Sequence, residues 1–206
     1  MKTAPLKTAF APLYRLLEFA DLYALNQRIG KPTTDRFRTL LARHMAASRD
    51  AAILDIGCGI GNYRASFGAA YTGVDINPGY IAKARATLEG RFEVMDCTRL
   101  DLAEASFDEA VTIATTHHLD DEQLTRMTAE ALRIIRPGGH FHVIDAILPV
   151  SPNFTFKRIW FGLDRGRFPR RHEALSHRIE QAGAILERDI LIGPLHDTIY
   201  LRVGRR

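Results

Sequence analysis

A short apolar run, Ala52-Ile53-Leu54-Asp55-Ile56, breaks into Gly57-Cys58-Gly59-Ile60-Gly61, and this junction constrains the fold more than any other stretch of the chain. An apolar run of that length, without polar alternation, suits a parallel strand buried on both faces. Glycine at every second position lets the backbone turn tightly and pass close to a ligand. Placed between a strand and a helix, the loop aims its N–H groups at an acceptor. A dinucleotide fingerprint would need a glycine at position 62, which is Asn62, and the Walker lysine with its Ser/Thr is missing. A pyrophosphate is therefore not the expected ligand.

The rest of the chain continues the alternation that such a junction starts. Tyr71 to Asp75, Phe92 to Met95, Phe107 to Ala114 and Phe141 to Ile144 read as further strands. Pro78 to Leu88 and Asp121 to Ile135 read as helices. The second has an acidic first turn and Arg133 and Arg136 at its end, as the helix dipole prefers. Strands alternating with helices predict a doubly wound parallel sheet. Ile185 to Ile192 and Thr198 to Val203 are two more strands, joined by Gly193 to Asp197. A connection that short cannot be a parallel crossover, so these two run antiparallel. The fold class expected is α/β, a seven-stranded, mostly parallel sheet with an antiparallel last strand and a helical cap.

Two segments fall outside this rhythm. Residues 1–48 predict a helical cap: apolar positions recur at helical spacing from Pro12 to Ile29, and a second helix follows Thr33 and Thr34 with Phe37, Leu40, Leu41, His44 and Met45 on one face. Residues 49–206 form the core, interrupted by an insertion at 149–183 that carries Phe154, Phe156, Trp160 and Phe161. With 206 residues, 46% hydrophobic and 25% charged, one domain with an appendage can bury a full core. Two cysteines exclude a disulfide scaffold and make a reducing cytoplasm the expected location, and no run reaches the length of a membrane span. Met1 to Pro12 lacks the apolar stretch of a secretion signal.

Asp75 closes the second strand and Asp96 follows the third. A carboxylate at the first position can accept both hydroxyls of a ribose. One at the second can accept from an adenine amino group while the Cys97 N–H donates to the ring. Either aspartate alone would be read as a cap or a turn. In order, behind a glycine loop, they point to an adenosine. Here the chain resembles the class I S-adenosylmethionine-dependent methyltransferases, and within them the small-molecule type 11 group. The matching pieces are Leu54 to Gly61, Gly73-Val74-Asp75, Met95-Asp96-Cys97, Phe107 to Val111, His117-His118-Leu119 and Leu132 to Gly139.

The resemblance implies S-adenosyl-L-methionine as cofactor and S-adenosyl-L-homocysteine as product. It implies that Asp55 orients the amino end of the cofactor and that Gly57, Gly59 and Gly61 pass under its methionine part. Asp75 would hold the ribose, Ile76 would pack on the adenine, and Asp96 and Cys97 would read its edge. Cys58 and Thr115 complete the expected cofactor-lining positions.

Ligands of such sheets bind outside the carboxyl ends of the strands. That places Thr115, His117 and His118 after the fourth strand, Asp145 after the fifth, and His196 in the last turn near an acceptor. His117 is the expected base, because a neutral imidazole can take a proton near pH 7. The resemblance implies that His118, the second catalytic candidate, packs behind the pocket. Asp145, Trp160, Arg170, Arg171 and His196 are the expected acceptor contacts.

Missing motifs narrow the chemistry. Ala114-Thr115-Thr116-His117 lacks the Asn/Asp-Pro-Pro-aromatic signature of base- and glutamine-methylating enzymes. Neither Cys58 nor Cys97 follows a proline, as a cytosine-attacking cysteine would. No carboxylates flank His117 to hold a metal, so none is expected. Residues 157–206 carry 11 Lys/Arg against 6 Asp/Glu, a net +5, whereas residues 1–156 total −1. A basic rim beside aromatic residues suits a small molecule with a hydrophobic body and an anionic group, methylated on oxygen or nitrogen. The alternatives are an acidic membrane surface or a lipid substrate, and a partner subunit that binds the cofactor without turnover. RNA stands last, because no RNA-binding module is recognisable.

Overall fold

A computed structural model describes residues 33–45, 50–151, 166–193 and 196–206. The helix expected over Pro12 to Ile29, and Phe154, Phe156, Trp160 and Phe161, lie outside them. Seven strands form one sheet: β1 (Ile53–Ile56), β2 (Tyr71–Asp75), β3 (Arg91–Val94), β4 (Glu109–Ile113), β5 (Phe141–Ile147), β6 (Ala184–Leu191) and β7 (Asp197–Gly204). Their order is β3-β2-β1-β4-β5-β7-β6. The pairs among β1 to β5 are parallel, and β7 lies antiparallel between β5 and β6. The order reverses at β1, so the crevice at its carboxyl end, where the glycine loop begins, is the place where such sheets bind ligands.

Residue alternation along the strands decides what each face buries. One face takes helix α1 (residues 33–44), whose Phe37, Leu40 and Leu41 join Met45, Ile53, Val111, Ile113, Ile144 and Tyr200 in one cluster. Helix α2 (Pro78–Thr87) sets Ile81 and Ala84 against Tyr71 and Phe92 in a second cluster. The other face takes α3 (Asp121–Ile134) and α4 (His172–Ile179). Leu124, Met127, Ala131, Leu175 and Ile179 pack there on Leu54, Ile56, Val143 and Leu201. Asp120 caps α3 through the Gln123 N–H, and the Gln123 side chain returns the bond to the Asp120 N–H. Both orphan donors are thereby satisfied at the helix start.

The boundaries of β4 and β5 move by more than one residue. Phe107 and Asp108 leave β4. Phe107 keeps only a bridge to Ile135, while the Asp108 carboxylate accepts from the Ala52 N–H and pairs with Arg136. β5 runs on through Asp145, Ala146 and Ile147, each paired with β7. The longer ladder carries a carboxylate into the protein interior, with consequences described below.

Candidate cofactor and acceptor site

The glycine loop is held by the strand beside it. The Gly57 and Cys58 N–H groups donate to Val74 O at 2.8 and 3.0 Å. The Gly59 N–H donates to Asp75 Oδ2 at 2.9 Å, and the Asn77 N–H to Asp75 Oδ1 at 2.8 Å. Gly57 sits at φ +77°, and a Cβ there would overlap Thr115 Oγ1, so no other residue lets the loop lie this close to β4. Gly59 is also left-handed, at φ +56°, but a Cβ there would meet nothing within 4 Å among the described residues. The loop is packed from below and open above.

An ionised carboxylate offers about four lone-pair positions. The loop and Asn77 use two at Asp75, one on each oxygen, which leaves one per oxygen for a pair of vicinal hydroxyls. Beside it, Ile76 is 69% exposed, an apolar side chain presented to solvent at the mouth of the crevice. A flat aromatic ring would cover it. Asp96 is exposed, and its Oδ1 accepts from the Thr98 N–H and hydroxyl, both at 2.8 Å, which fixes the turn after β3. Cys97 is half-buried, and burial pushes its thiol up to about 12; Cys58 is buried and its thiol is also raised. Neither cysteine is a nucleophile at neutral pH.

Asp55 lies 2% exposed beneath this crevice. Burial pushes its carboxyl up to about 7, against the hydrogen bond that Tyr71 Oη donates to its Oδ2 at 2.8 Å; the Asp75 charge raises it further. Such a group is poised to ionise when a cation arrives.

At the ends of β4 and β5 a second cluster forms. Ala114 turns the chain with φ +55°, a conformation that costs a residue with a Cβ about 1 kcal/mol or more. The turn sends Thr116 and His117 back toward β5. There Asp145, 0% exposed, accepts four bonds: Thr116 Oγ1 at 2.5 Å, the His117 N–H at 3.3 Å, His117 Nδ1 at 2.7 Å and the Ala146 N–H at 2.7 Å. The His117 imidazole and these other donors outweigh burial, which acts the opposite way, and hold Asp145 below its usual carboxylate range. His117 is 6% exposed, and the segment returning from the insertion packs over it. The Phe168 N–H donates to His117 O at 2.9 Å, and a Cβ on Gly166 would overlap the imidazole.

Several expectations for the acceptor end change in this light. Asp145 does not offer its carboxylate to an acceptor, because four protein donors already use it. His118 does not pack behind the pocket. It is exposed, with its ring 4.2 Å from that of His117. Arg170 does not stand on an open rim. Its guanidinium donates to Asp121 Oδ1, Thr116 O, Leu119 O and Phe168 O, and its side chain is only 9% exposed. It bolts the end of the insertion to the turn that carries His117. Arg171 is exposed. Trp160 lies outside the described residues.

Arg170→Ala is accordingly expected to cost about 2 kcal/mol of stability, the scale of lost bonds from a charged donor. Arg171→Ala should stay within about 0.5 kcal/mol, as surface changes do. Urea unfolding of the two variants checks this, and equal midpoints would refute the bolt.

His196 lies, as expected, on the carboxyl side of β5, where it meets the first turn of α1. Its Nδ1 is 3.3 Å from Thr33 Oγ1, and its carbonyl accepts from Arg36 Nη1 at 3.2 Å. Tyr63 joins the glycine loop to this corner, with its ring 6.2 Å from that of Phe37 and a hydrogen bond to the Thr34 side chain. Burial, opposed by that bond, pushes its hydroxyl up to about 12, and the charges of Asp55 and Asp145 both reach it. Tyr63 and Arg36 were not legible as site residues. Tyr63 looks like a core aromatic, and Arg36 lies among the polar positions of a helix. Among the described residues no group of three or more metal-ligating side chains comes together.

The chain is similar in sequence to known methyltransferases. A methyltransferase-domain family model matches residues 53–139. An O-methyltransferase of Pyrenophora dematioidea is 30% identical over 126 residues, which cover 56% of this chain and 46% of that protein. An uncharacterised methyltransferase of Synechocystis is 28% identical over 139 residues, covering 64% and 66%. This chain spans half or less of the length of the first curated relatives it matches. A solved S-adenosylmethionine-dependent methyltransferase of Methanosarcina mazei superposes with a TM-score of 0.60 at 19% identity, covering 76% of this chain and 93% of that one. That likeness is one of fold.

Proposed function

From the premise that this chain belongs to the class I S-adenosylmethionine-dependent methyltransferases, we propose that it methylates a small-molecule acceptor with a hydrophobic body and an anionic group. The observation that carries the reading is the half-used Asp75 carboxylate, locked to the glycine loop beside an exposed Ile76. The donor set fits the cofactor. Asp75 holds two ribose hydroxyls, Ile76 packs on adenine, and the open side of Gly59 receives the methionine part. Asp55 faces its ammonium group, directly or through water. The cofactor supplies an electrophilic methyl group. The protein aligns an acceptor with it, and proximity of this kind supplies much of the rate.

Support for the acceptor class comes from two sides. Matching relatives are named as an O-methyltransferase and a sterol 4-C-methyltransferase, and a sterol is a small molecule with a hydrophobic body. The anionic group is suggested by the +5 balance of residues 157–206 and by Arg36 at the acceptor corner. With Arg170 spent inside the protein, Arg36 and Arg171 are the cations assigned to it. No helix among the described residues is long and apolar enough to cross a membrane. A lipid or membrane-bound acceptor is the alternative.

Asp75→Ala removes two charge-assisted bonds to the ribose and the anchor of Gly59. The cost is about 1.5–3 kcal/mol, or roughly ten- to a hundredfold in affinity. Calorimetry with S-adenosylhomocysteine measures it, and an unchanged dissociation constant overturns the cofactor assignment. Incubation with S-adenosylmethionine and a metabolite extract, read by mass spectrometry, tests the acceptor class. A methylated small anion is expected; methylation of RNA or lipid alone would redirect the reading.

A further inference from the structure

We infer that Arg36, in the first turn of α1, anchors the acceptor's anionic group, and that this group is a carboxylate. The inference rests on the methyltransferase reading and narrows it, from the two cations named there to one. Arg36 is half-buried, and its Nη1 donates to His196 O at 3.2 Å. Among the described residues that is its one hydrogen bond, and no carboxylate pairs with it. The next cations of the same helix are matched, Arg38 by Asp35 at 3.7 Å and Arg43 by Asp189 at 2.9 Å. A charge drawn partly out of water calls for a counter-charge, and at Arg36 the protein supplies none.

The guanidinium is seated in a place made for it. A Cβ on Gly193 would fall on Arg36 Nη1 and on His196 O. Gly193 is not among the glycines with positive φ, so this position needs glycine for room and not for its backbone angles. Asp197, 1% exposed, stiffens the seat by accepting from the Gly193 N–H at 3.2 Å and the Val150 N–H at 2.8 Å. Ile147 at the end of β5 pairs with Asp197, so Gly193 and His196 lie beyond the carboxyl end of that strand. Ligands of such sheets bind on that side. In the helical turn that carries Arg36, Thr33 meets His196 and Thr34 meets Tyr63, which ties the seat to the glycine loop. With Nη1 turned to His196 O, the Nε–Nη2 edge keeps two parallel N–H donors. The two oxygens of a carboxylate fit such a fork. One guanidinium balances one charge, which suits a carboxylate and leaves a phosphate dianion half-neutralised.

The experiment titrates hexanoate, hexanol and hexyl phosphate into the full chain with S-adenosylhomocysteine bound, followed by NMR of backbone amides and of the Arg36 Nε–H. In the wild type, hexanoate should shift the Arg36 resonance and bind at least about tenfold tighter than hexanol, the low end for a charge-assisted bond. Hexyl phosphate should bind no tighter than hexanoate. Arg36→Gln should lose the preference for hexanoate over hexanol while hexanol and S-adenosylhomocysteine bind as before. Arg36→Lys keeps the charge without the fork and should keep part of the preference. Gly193→Ala removes the seat but not the arginine. It should lose the preference too, and it keeps the test open if Arg36→Gln fails to fold. On the acceptor returned by the metabolite screen, Arg36→Gln should raise KM about ten- to a hundredfold and change kcat less than threefold. Equal binding of hexanoate and hexanol to the wild type overturns the proposal and leaves the methyltransferase reading intact. So does tighter binding of hexyl phosphate, a preference that falls with Arg171→Gln and not with Arg36→Gln, or an Arg36→Gln variant that loses hexanol and hexanoate alike, as a purely structural role would produce. If the wild type neither binds S-adenosylhomocysteine nor transfers a methyl group, the methyltransferase reading falls, and the same titrations of the unliganded chain still decide the Arg36 site.

Discussion

Replacing His117 is expected to lower kcat by about 10²–10⁴-fold, the usual contribution of a positioned general base, while cofactor affinity stays unchanged. The imidazole lies outside the crevice formed by Gly59, Asp75 and Ile76, so its loss removes none of the bonds assigned to S-adenosylmethionine. Alanine would leave the buried Asp145 short of one donor, and breaking a buried pair in this way costs about 3–5 kcal/mol. His117→Gln is the better variant, because its amide offers a donor to Asp145 and cannot act as a base. Residual turnover is expected in both variants, since alignment alone contributes more than proton transfer. His118→Ala, at an exposed position, should change little. The measurement is a set of pH–rate profiles on folded protein. The acid limb of the wild type should be absent in His117→Gln; parallel profiles of equal height would make His117 a bystander.

Asp55→Asn is expected to stabilise the cofactor-free protein at pH 8 and to weaken the cofactor. A carboxyl that titrates near 7 when folded and near 4 when unfolded opposes folding once the pH exceeds the unfolded value. The loss of stability grows between about pH 4 and pH 7 and is complete above that, at about 4 kcal/mol for three pH units. Asparagine removes this dependence. Its amide adds donors that burial leaves short of partners, at about 1–3 kcal/mol, so the net gain at pH 8 is about 2 kcal/mol. The sign reverses on acidification: below about pH 5 the wild type should be the more stable of the two. Thermal unfolding between pH 4 and 8, with and without S-adenosylhomocysteine, measures the crossing. A constant offset across that range would show that Asp55 is ionised throughout.

The parallel core of the sheet and its antiparallel last pair were legible because burial on both faces favours continuous apolar runs, and because the five-residue turn after β6 leaves only an antiparallel pair. The turn of the glycine loop was legible for a related reason. Glycines with positive φ and a carboxylate at a strand end are local requirements, met within a few residues of each other, as at Gly57, Gly59 and Asp75. The ends of β4 and β5 were not. Phe107 and Asp108 continue an apolar pattern but are claimed by Ile135, Ala52 and Arg136, which lie far away in sequence. Arg170 reads as part of a basic stretch, and only its contact with Asp121 and the turn after β4 shows that its charge faces inward.

What the sequence by itself determined is a doubly wound sheet with a glycine loop after its first strand, because periodicity and glycine placement act over short stretches of chain. What only the tertiary structure decided is how the polar residues at the acceptor end are shared. His117 and Asp145 are 28 residues apart and come together through the turn at Ala114 and the extension of β5. A buried carboxylate must find donors wherever the packed chain supplies them. Nothing in the spacing of these residues says that Asp145 would find them on Thr116, His117 and Ala146 and not on an acceptor.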